Sequence, residues 1–168
     1  MTSTTPAAAQ LNKPVLKEGS TGAAVKELQK LLLDKGFYDT CEKQADKSII
    51  DGVFGQKTTF AVRSFQARVF LPLDGIVGDR TWRALFKGAP VDMPSLTLNS
   101  TNKELVKIVQ QKLTFSRDYQ GKIDGQFGTN TANAVKALQK RTGLTVDGVV
   151  GDRTWFELSK ISNPEGGC

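Results

Sequence analysis

A long segment of this chain occurs twice, and the repeat constrains the fold more than any other feature. Residues 51–85 align with residues 124–158 at a constant shift of 73, and 19 of the 35 paired positions are identical. The most similar stretches are Asp-Gly-x-Phe-Gly, beginning at 51 and 124, and Asp-Gly-x-Val-Gly-Asp-Arg-Thr-Trp, beginning at 74 and 147. This much identity at one fixed shift indicates that a small domain has been duplicated in tandem.

The shift between the copies changes upstream of the Asp-Gly turns. A pattern of apolar residues and glutamine at 25–32 matches 106–113 at a shift of 81, so the first copy has eight extra residues around 37–48. Gly88 to Ser95 contains two prolines, which is typical of a stiff linker. The sequence therefore predicts an N-terminal tail at 1–14, a first domain at 15–88, a linker at 89–95, a second domain at 96–161 and a C-terminal tail at 162–168.

Apolar residues recur at helical spacing three times in each copy, and no stretch alternates with period two. In the first copy, the three groups are Val25, Leu28, Leu31 and Leu32, then Ala61, Val62, Phe65 and Val69, then Trp82, Leu85 and Phe86. All of these are expected to face inward, and Gly36 is expected to end the first helix. The sequence thus predicts an all-α protein made of two tandem three-helix bundles.

Asp-Gly turns are expected to stabilise each bundle, because a unit of about 70 residues buries little core. The carboxylate accepts backbone N–H bonds while the glycine takes a positive φ angle. A phenylalanine then packs between helices, a second glycine leads into the next helix, and a tryptophan of the third helix joins the core. These predicted structural residues are Asp51, Gly52, Phe54, Gly55, Asp74, Gly75 and Trp82, with their counterparts Asp124, Gly125, Phe127, Gly128, Asp147, Gly148 and Trp155.

The order of these elements resembles the peptidoglycan-binding domain of the three-helix type. Val-x-x-Leu-Gln-x-x-Leu, Asp-Gly-x-Phe-Gly-x-x-Thr, Ala-Val-x-x-Phe-Gln and Asp-Gly-x-Val-Gly-x-x-Thr-Trp-x-x-Leu follow one another in the first copy, and the second copy repeats them with Val109 for the first Leu and Leu138 for Phe65. The resemblance covers nearly the whole chain. It implies a bundle that holds an enzyme or an assembly on the bacterial cell wall, as in wall hydrolases, spore cortex-lytic enzymes and phage lysins.

The two copies differ in the loop before their first helix. The first copy has Leu16-x-x-Gly19-x-x-Gly22, whereas the second has Leu98-Asn-Ser-Thr-Asn-Lys103 without a glycine. Ser, Thr and Asn can cap a helix in place of glycine, so the fold is expected to survive the change. A binding surface built on that loop is not expected to survive it, and we predict that the two domains bind unequally.

The composition excludes several kinds of catalytic and metal site. The 168 residues contain no histidine and only two cysteines, which excludes Ser-His-Asp and Cys-His nucleophiles, imidazole zinc ligands and a four-thiolate zinc site. The spacing of an EF-hand is also missing. We therefore expect no enzymatic activity, no metal and no other cofactor. Cys41 and Cys168 are expected to stay free in a cytoplasmic chain and to pair in an exported one.

Peptidoglycan offers carboxylates, so recurring cations are candidate ligand-binding residues. Arg80 and Arg153 occupy equivalent positions at the start of the third helix, and Arg63 corresponds to Lys136 on the second helix. The alternative is that these four are solvated surface residues inherited through the duplication.

Tyrosine and threonine side chains supply the remaining candidates. Tyr38 and Tyr119 follow the first helix of each copy, where we expect exposed aromatic rings that contact the ligand. Thr58 and Thr131 are expected either to present hydroxyl groups beside a bound carboxylate at a helix N-terminus or to cap their helices.

These features favour a non-catalytic protein whose two modules bind peptidoglycan. The alternative is a structural or adaptor protein that contacts a catalytic or assembly protein in a phage, secretion or injection assembly. The net charge of +6 is dispersed among acidic residues, so no nucleic-acid partner is expected, and no apolar run is long enough for a transmembrane segment. The N-terminus lacks the features of a signal peptide, which predicts a cytoplasmic chain, or a wall or periplasmic one if a signal was trimmed or export is non-classical.

Overall fold

The computed structural model of the chain describes residues 11–38 and 47–162, which contain six α-helices and one short 3₁₀ helix. The chain divides into two compact units after Gly88. The bounds are α1 (Ala23–Asp34), the 3₁₀ helix (Lys47–Ile49), α2 (Gln56–Arg68) and α3 (Asp79–Lys87) in domain 1, and α4 (Lys103–Phe115), α5 (Thr129–Thr142) and α6 (Asp152–Lys160) in domain 2. The prediction of two all-α, three-helix units is confirmed.

In each domain the first helix packs against the other two, and the core between them consists of apolar residues that recur at helical spacing. Helix α1 contacts α2 and α3, and α4 contacts α5 and α6 in the same way. Phe54 and Trp82 are fully buried between the helices of domain 1, as are Phe127 and Trp155 in domain 2. Buried rings of this size contribute a large share of the apolar area that stabilises so small a unit.

The extended segment before each bundle pairs with the residues just before the third helix of that bundle. Leu16 pairs with Val77 and Leu96 with Val150 as isolated antiparallel bridges, and the described residues contain no longer strand. The indole Nε1 of Trp82 donates to the carbonyl of Pro14 at 2.9 Å. Trp155 donates to the carbonyl of Pro94 at the same distance. The polar atom of each core tryptophan is thereby satisfied where the chain enters the domain.

Glycine geometry ends the first helix where the sequence predicted. Gly36 has φ of 75° directly after the last turn of α1, and its N–H donates to the carbonyl of Leu33. The backbone N–H of Phe37 donates to the carbonyl of Leu32, which completes a left-handed C-terminal cap. The segment with the eight extra residues continues into 39–46, so Cys41, like Cys168, lies outside the described residues.

The loop without glycine in domain 2 keeps the geometry of domain 1 at the position of Gly19 but not at that of Gly22, which has φ of 113° where Asn102 has φ of −76°. Asn99 has φ of 66° where Gly19 has φ of 90°, and the N–H of each donates to the carbonyl of the core phenylalanine of its domain at 2.9 Å. Asparagine tolerates the left-handed region better than other residues with a side chain. At the start of α4, the Oδ1 of Asn102 accepts a hydrogen bond from the N–H of Leu105, so asparagine also supplies the cap.

One core assignment in domain 1 is wrong. Phe86 was expected to face inward, but it is 44% exposed. It follows the buried Leu85 by 100° around a short helix, which carries it to the edge of the apolar stripe. Its ring stacks on Trp82 with 5.9 Å between centroids, and the Nζ of Lys13 lies 5.5 Å from its centre.

The left-handed position of Asn99 generates the first prediction. Asn99→Val should lower the free energy of unfolding by about 1–2 kcal/mol, because a β-branched side chain is strained at positive φ. Asn99→Gly should be neutral or slightly stabilising. Urea denaturation measures both, with Thr97→Val in the same exposed loop as the control. Equal stability of Asn99→Val and wild type would contradict the prediction.

Candidate functional site

A buried glutamine holds each Asp-Gly turn, and the arrangement occurs four times. In domain 2, the Nε2 of Gln110 donates to the Oδ1 of Asp124 at 2.9 Å and to the carbonyl of Gln126 at 3.1 Å. Its Oε1 accepts the N–H of Gly125 at 2.9 Å. The same three bonds join Gln29 to Asp51, Gly52 and Val53, Gln66 to Asp74, Gly75 and Ile76, and Gln139 to Asp147, Gly148 and Val149.

Each turn aspartate accepts a hydrogen bond from the backbone of its own turn, and at three of the four the bonds favour the carboxylate form. The Oδ1 of each accepts the backbone N–H two residues further on, at 2.7 Å for Asp51 and 2.9 Å for Asp124. Hydrogen bonds from the glutamine and from this N–H lower the pKa of Asp51 and of Asp124 below its usual range. The pKa of Asp147 is lowered by the N–H of Val149 and then by Gln139. These three groups are therefore unsuited to act as general acids near neutral pH.

The two candidate tyrosines are not exposed, and that expectation is wrong. Tyr38 is 5% exposed and Tyr119 is 7% exposed. The hydroxyl groups of Tyr38 and Thr58 lie 3.2 Å apart, and burial raises the pKa of Tyr38. The hydroxyl of Tyr119 donates to the carbonyl of Lys122 at 2.8 Å. Each phenol group is part of the polar cluster at the first Asp-Gly turn of its own domain, and neither ring projects from the loop into solvent.

The candidate threonines are buried as well, and both expectations for them are wrong. Thr58 and Thr131 lie in the first turn of α2 and α5, but glycine precedes each helix and no side chain caps it. The Nε2 of Gln29 lies 3.3 Å from the hydroxyl of Thr58, and the Nε2 of Gln110 lies 3.2 Å from that of Thr131. These hydroxyl groups satisfy the glutamines and cannot reach a ligand.

The candidate cations are exposed, and two of them also cover turn glycines. A Cβ atom at Gly75 would lie 3.3 Å from the Nε of Arg63, and one at Gly148 would lie 3.0 Å from the Cε of Lys136. Both glycines have φ above 70°, a conformation that favours glycine, and the side chain of the cation above each one leaves little room for a Cβ atom. Both positions therefore require glycine. Arg80 and Arg153 lie exposed in the first turn of α3 and α6.

Sequence reasoning missed the glutamines as the centre of these turns, although their signal is present. Each glutamine follows a cation by three residues on its helix, and each is followed along the chain by Asp-Gly. One helical turn separates the two side chains, so the glutamine reaches the inside of the turn while the cation covers its outside. The four pairs are Lys26 and Gln29, Arg63 and Gln66, Lys107 and Gln110, and Lys136 and Gln139.

Domain 2 has a concave surface beside this framework. A cleft of about 390 Å³ lies between the loop 118–121 and the start of α5. Its rim bears the exposed side chains of Gln120, Asn130 and Asn133. We call this surface the carboxamide cleft. A second cleft of about 300 Å³ lies between loop 99–103 and the turn at Gly125.

Comparison with known families identifies both domains. The family model described as "Putative peptidoglycan binding domain" matches residues 21–85 and again residues 102–158. The chain belongs to this family. Each match runs from just before the first helix to the buried leucine near the end of the third helix, so the family pattern contains both glutamine-held turns of each domain.

Individual relatives extend the similarity. The chain is 32% identical to the N-acetylmuramoyl-L-alanine amidase CwlL of Bacillus licheniformis over 95% of its own length and 49% of that protein. It is 34% identical to the N-acetylmuramoyl-L-alanine amidase CwlM of Mycobacterium tuberculosis over 88% of its own length and 38% of that protein. The chain thus spans about half, or less, of the length of these relatives. The crystal structure of the SleB N-terminal domain matches 46% of the chain and 94% of its own with 38% identity and a TM-score of 0.39.

Membrane-spanning helices and clusters suited to a metal ion are both absent from residues 11–38 and 47–162 of the chain. None of the helices in these ranges is long and apolar enough to cross a membrane. None of the acidic or cysteine side chains there gather in groups of three or more that are suited to hold a metal ion.

The buried glutamines generate the second prediction. Gln110→Leu should lower the free energy of unfolding of domain 2 by about 2 kcal/mol or more, because it leaves the N–H of Gly125 and the carbonyl of Gln126 without partners. Gln111→Leu is the matched control, since Gln111 is the exposed neighbour on α4 and should cost less than about 0.5 kcal/mol. Thermal unfolding followed by circular dichroism measures both. Equal effects of the two substitutions would contradict the role of Gln110.

The lowered carboxylate pKa values generate the third prediction. Stability from Asp51, Asp124 and Asp147 is fully present above the unfolded-state pKa of about 3.9 and is lost as the pH falls through the lower folded-state values. The free energy of unfolding should therefore fall steeply with pH below about pH 4. Asp124→Asn keeps an acceptor oxygen but does not ionise, so it should flatten this profile. An unchanged slope in urea titrations of the variant would contradict the assignment.

Proposed function

We propose that the two domains bind peptidoglycan without cleaving it. The observation that carries this proposal is the repeated family match, since a peptidoglycan-binding pattern occupies each of the two bundles. The relatives support the same polymer, because CwlL and CwlM are both named as N-acetylmuramoyl-L-alanine amidases.

The chemistry of the described residues supports binding over catalysis within these 168 residues. The sequence contains no histidine, the commonest general base. The carboxylate of Asp124, for example, accepts hydrogen bonds from the amide of Gln110 and from the backbone N–H of Gln126, and these bonds stabilise its charged form. A carboxyl group that gives up or takes a proton during a reaction needs a pKa near the working pH, which is the opposite shift.

Two domains on one chain suit a repeating polymer. When one domain is bound, the other stays at a high effective concentration near further repeats, and the combined affinity exceeds that of either domain. The exposed cations Arg63, Arg80, Lys136 and Arg153 are the candidates to contact carboxylates of the polymer. Each domain is thus expected to contribute a weak interaction, and the tandem to bind tightly.

Sedimentation with purified sacculi tests this function and gives the fourth prediction. The full chain should pellet with sacculi at low and moderate salt, and it should release no soluble fragments from them. Gln29→Leu and Gln110→Leu each weaken the fold of one domain and should each lower the apparent affinity about tenfold or more. Gln111→Leu should bind as wild type does.

The outcomes separate the parts of the proposal. Protein that stays in the supernatant at both salt concentrations would refute peptidoglycan binding. Release of reducing sugars or of free amino groups from the sacculi would refute the non-catalytic role. Full binding by both glutamine variants, once their domains are shown to be unfolded, would refute the contribution of two domains.

A further inference from the structure

The carboxamide cleft contains amide groups that the fold does not use. The side chains of Gln120, Asn130 and Asn133 make no hydrogen bond within the described chain, whereas the buried glutamines have all of their amide atoms engaged. Asn130 and Asn133 lie three residues apart on α5, so they project side by side along one face. Each carboxamide offers both N–H donors and a carbonyl acceptor.

The charge of the cleft is compensated. Asp118 is its one charged lining residue, and its Oδ2 accepts hydrogen bonds from the Nη2 of Arg141 at 2.7 Å and from the Oγ of Ser116 at 2.6 Å. A carboxylate with both partners in place neither requires a cationic ligand nor attracts an anionic one strongly. The cleft therefore favours a neutral polar group.

The floor of the cleft is formed by small and buried residues. Ala134 is 4% exposed, and the ring of Tyr119 lies directly under Gly121, where a Cβ atom would be only 2.5 Å from the phenolic oxygen. The Tyr119 hydroxyl is itself engaged by the carbonyl of Lys122. The fold thus keeps this surface concave over small and buried residues, while the three carboxamides stay exposed at its rim.

The equivalent positions in domain 1 have different chemistry. At the shift of 73, Lys57 stands for Asn130 and Phe60 stands for Asn133, while Ala61 matches Ala134. Phe60 is 62% exposed. The Asn pair is therefore not required by the shared fold, since domain 1 forms the same helix without it.

We infer that the carboxamide cleft is an amide-recognition subsite specific to domain 2, in which Asn130, Asn133 and Gln120 hydrogen-bond the N–H and C=O of a secondary amide in peptidoglycan. This inference rests on the proposed function. Two parts of the polymer present this group, the N-acetyl substituent of the sugars and the peptide bonds of the stem. Both are neutral and both pair one donor with one acceptor, as the cleft requires.

Nuclear magnetic resonance of the full ¹⁵N-labelled chain tests the subsite. The probes are a tetramer of N-acetylglucosamine, a free stem tetrapeptide and a disaccharide-tetrapeptide. The disaccharide-tetrapeptide should shift the side-chain NH₂ signals of Asn130 and Asn133. Shifts with the sugar tetramer alone would assign the acetyl group, and shifts with the tetrapeptide alone would assign the stem.

Substitutions complete the test. Asn133→Phe, which introduces the domain 1 residue, and Asn133→Ala should each weaken binding of the disaccharide-tetrapeptide at domain 2 about fivefold or more. Gln111→Ala removes an exposed amide outside the cleft and should have no effect. Shifts confined to other residues, or equal affinity of all three variants, would overturn the subsite while wild-type binding to sacculi leaves the proposed function intact. Absence of wild-type binding to sacculi would refute the proposed function itself.

Discussion

The buried glutamine carboxamide is the interaction on which both domains depend. A three-helix unit of this size has a thin core, so the loops that join its helices must be fixed by something other than apolar burial. One amide can satisfy an aspartate, a glycine N–H and a carbonyl at once, and Gln110 does so with three bonds of 2.9–3.1 Å. Every buried side-chain polar atom of the described residues has a partner, so the polar cluster stabilises the bundle without leaving an uncompensated group.

The repetition of this interaction extends below the level of the domain. The two turns of domain 1 start at Asp51 and Asp74, and those of domain 2 at Asp124 and Asp147, so the spacing is 23 in both. Each turn takes its glutamine from the helix before it and passes through a glycine into the helix after it. The domain is thus built from one helix-and-turn unit used twice, followed by a closing helix whose tryptophan bonds the carbonyl of a proline before the bundle.

The sequence predicted the helices and the turns because their signals are local. The apolar spacing in α1 and the positive φ of Gly52 and Gly36 are each decided by residues a few positions apart. Tyr38 was misplaced because its burial depends on Thr58, 20 residues away, across a segment whose path the sequence does not define. The carboxamide cleft was missed for the same reason, since loop 118–121 meets α5 only in the folded domain. The burial of Phe86 was predicted wrongly for a different reason. Helix α3 has only nine residues, so its apolar pattern does not define which residues lie at the edge of the buried face.

The same glutamine-held turns also determine where ligand specificity can reside. A polar atom that is already paired inside the fold costs free energy to redirect towards a ligand, so the buried polar residues common to both domains are poor candidates for recognition. A difference in specificity between the domains must come from exposed positions that the fold leaves unconstrained and at which the two copies differ, as at Phe60 and Asn133. Because the scaffold is duplicated, the exposed residues of one copy can change while those of the other copy stay as they are. Both copies keep the buried residues of the family pattern.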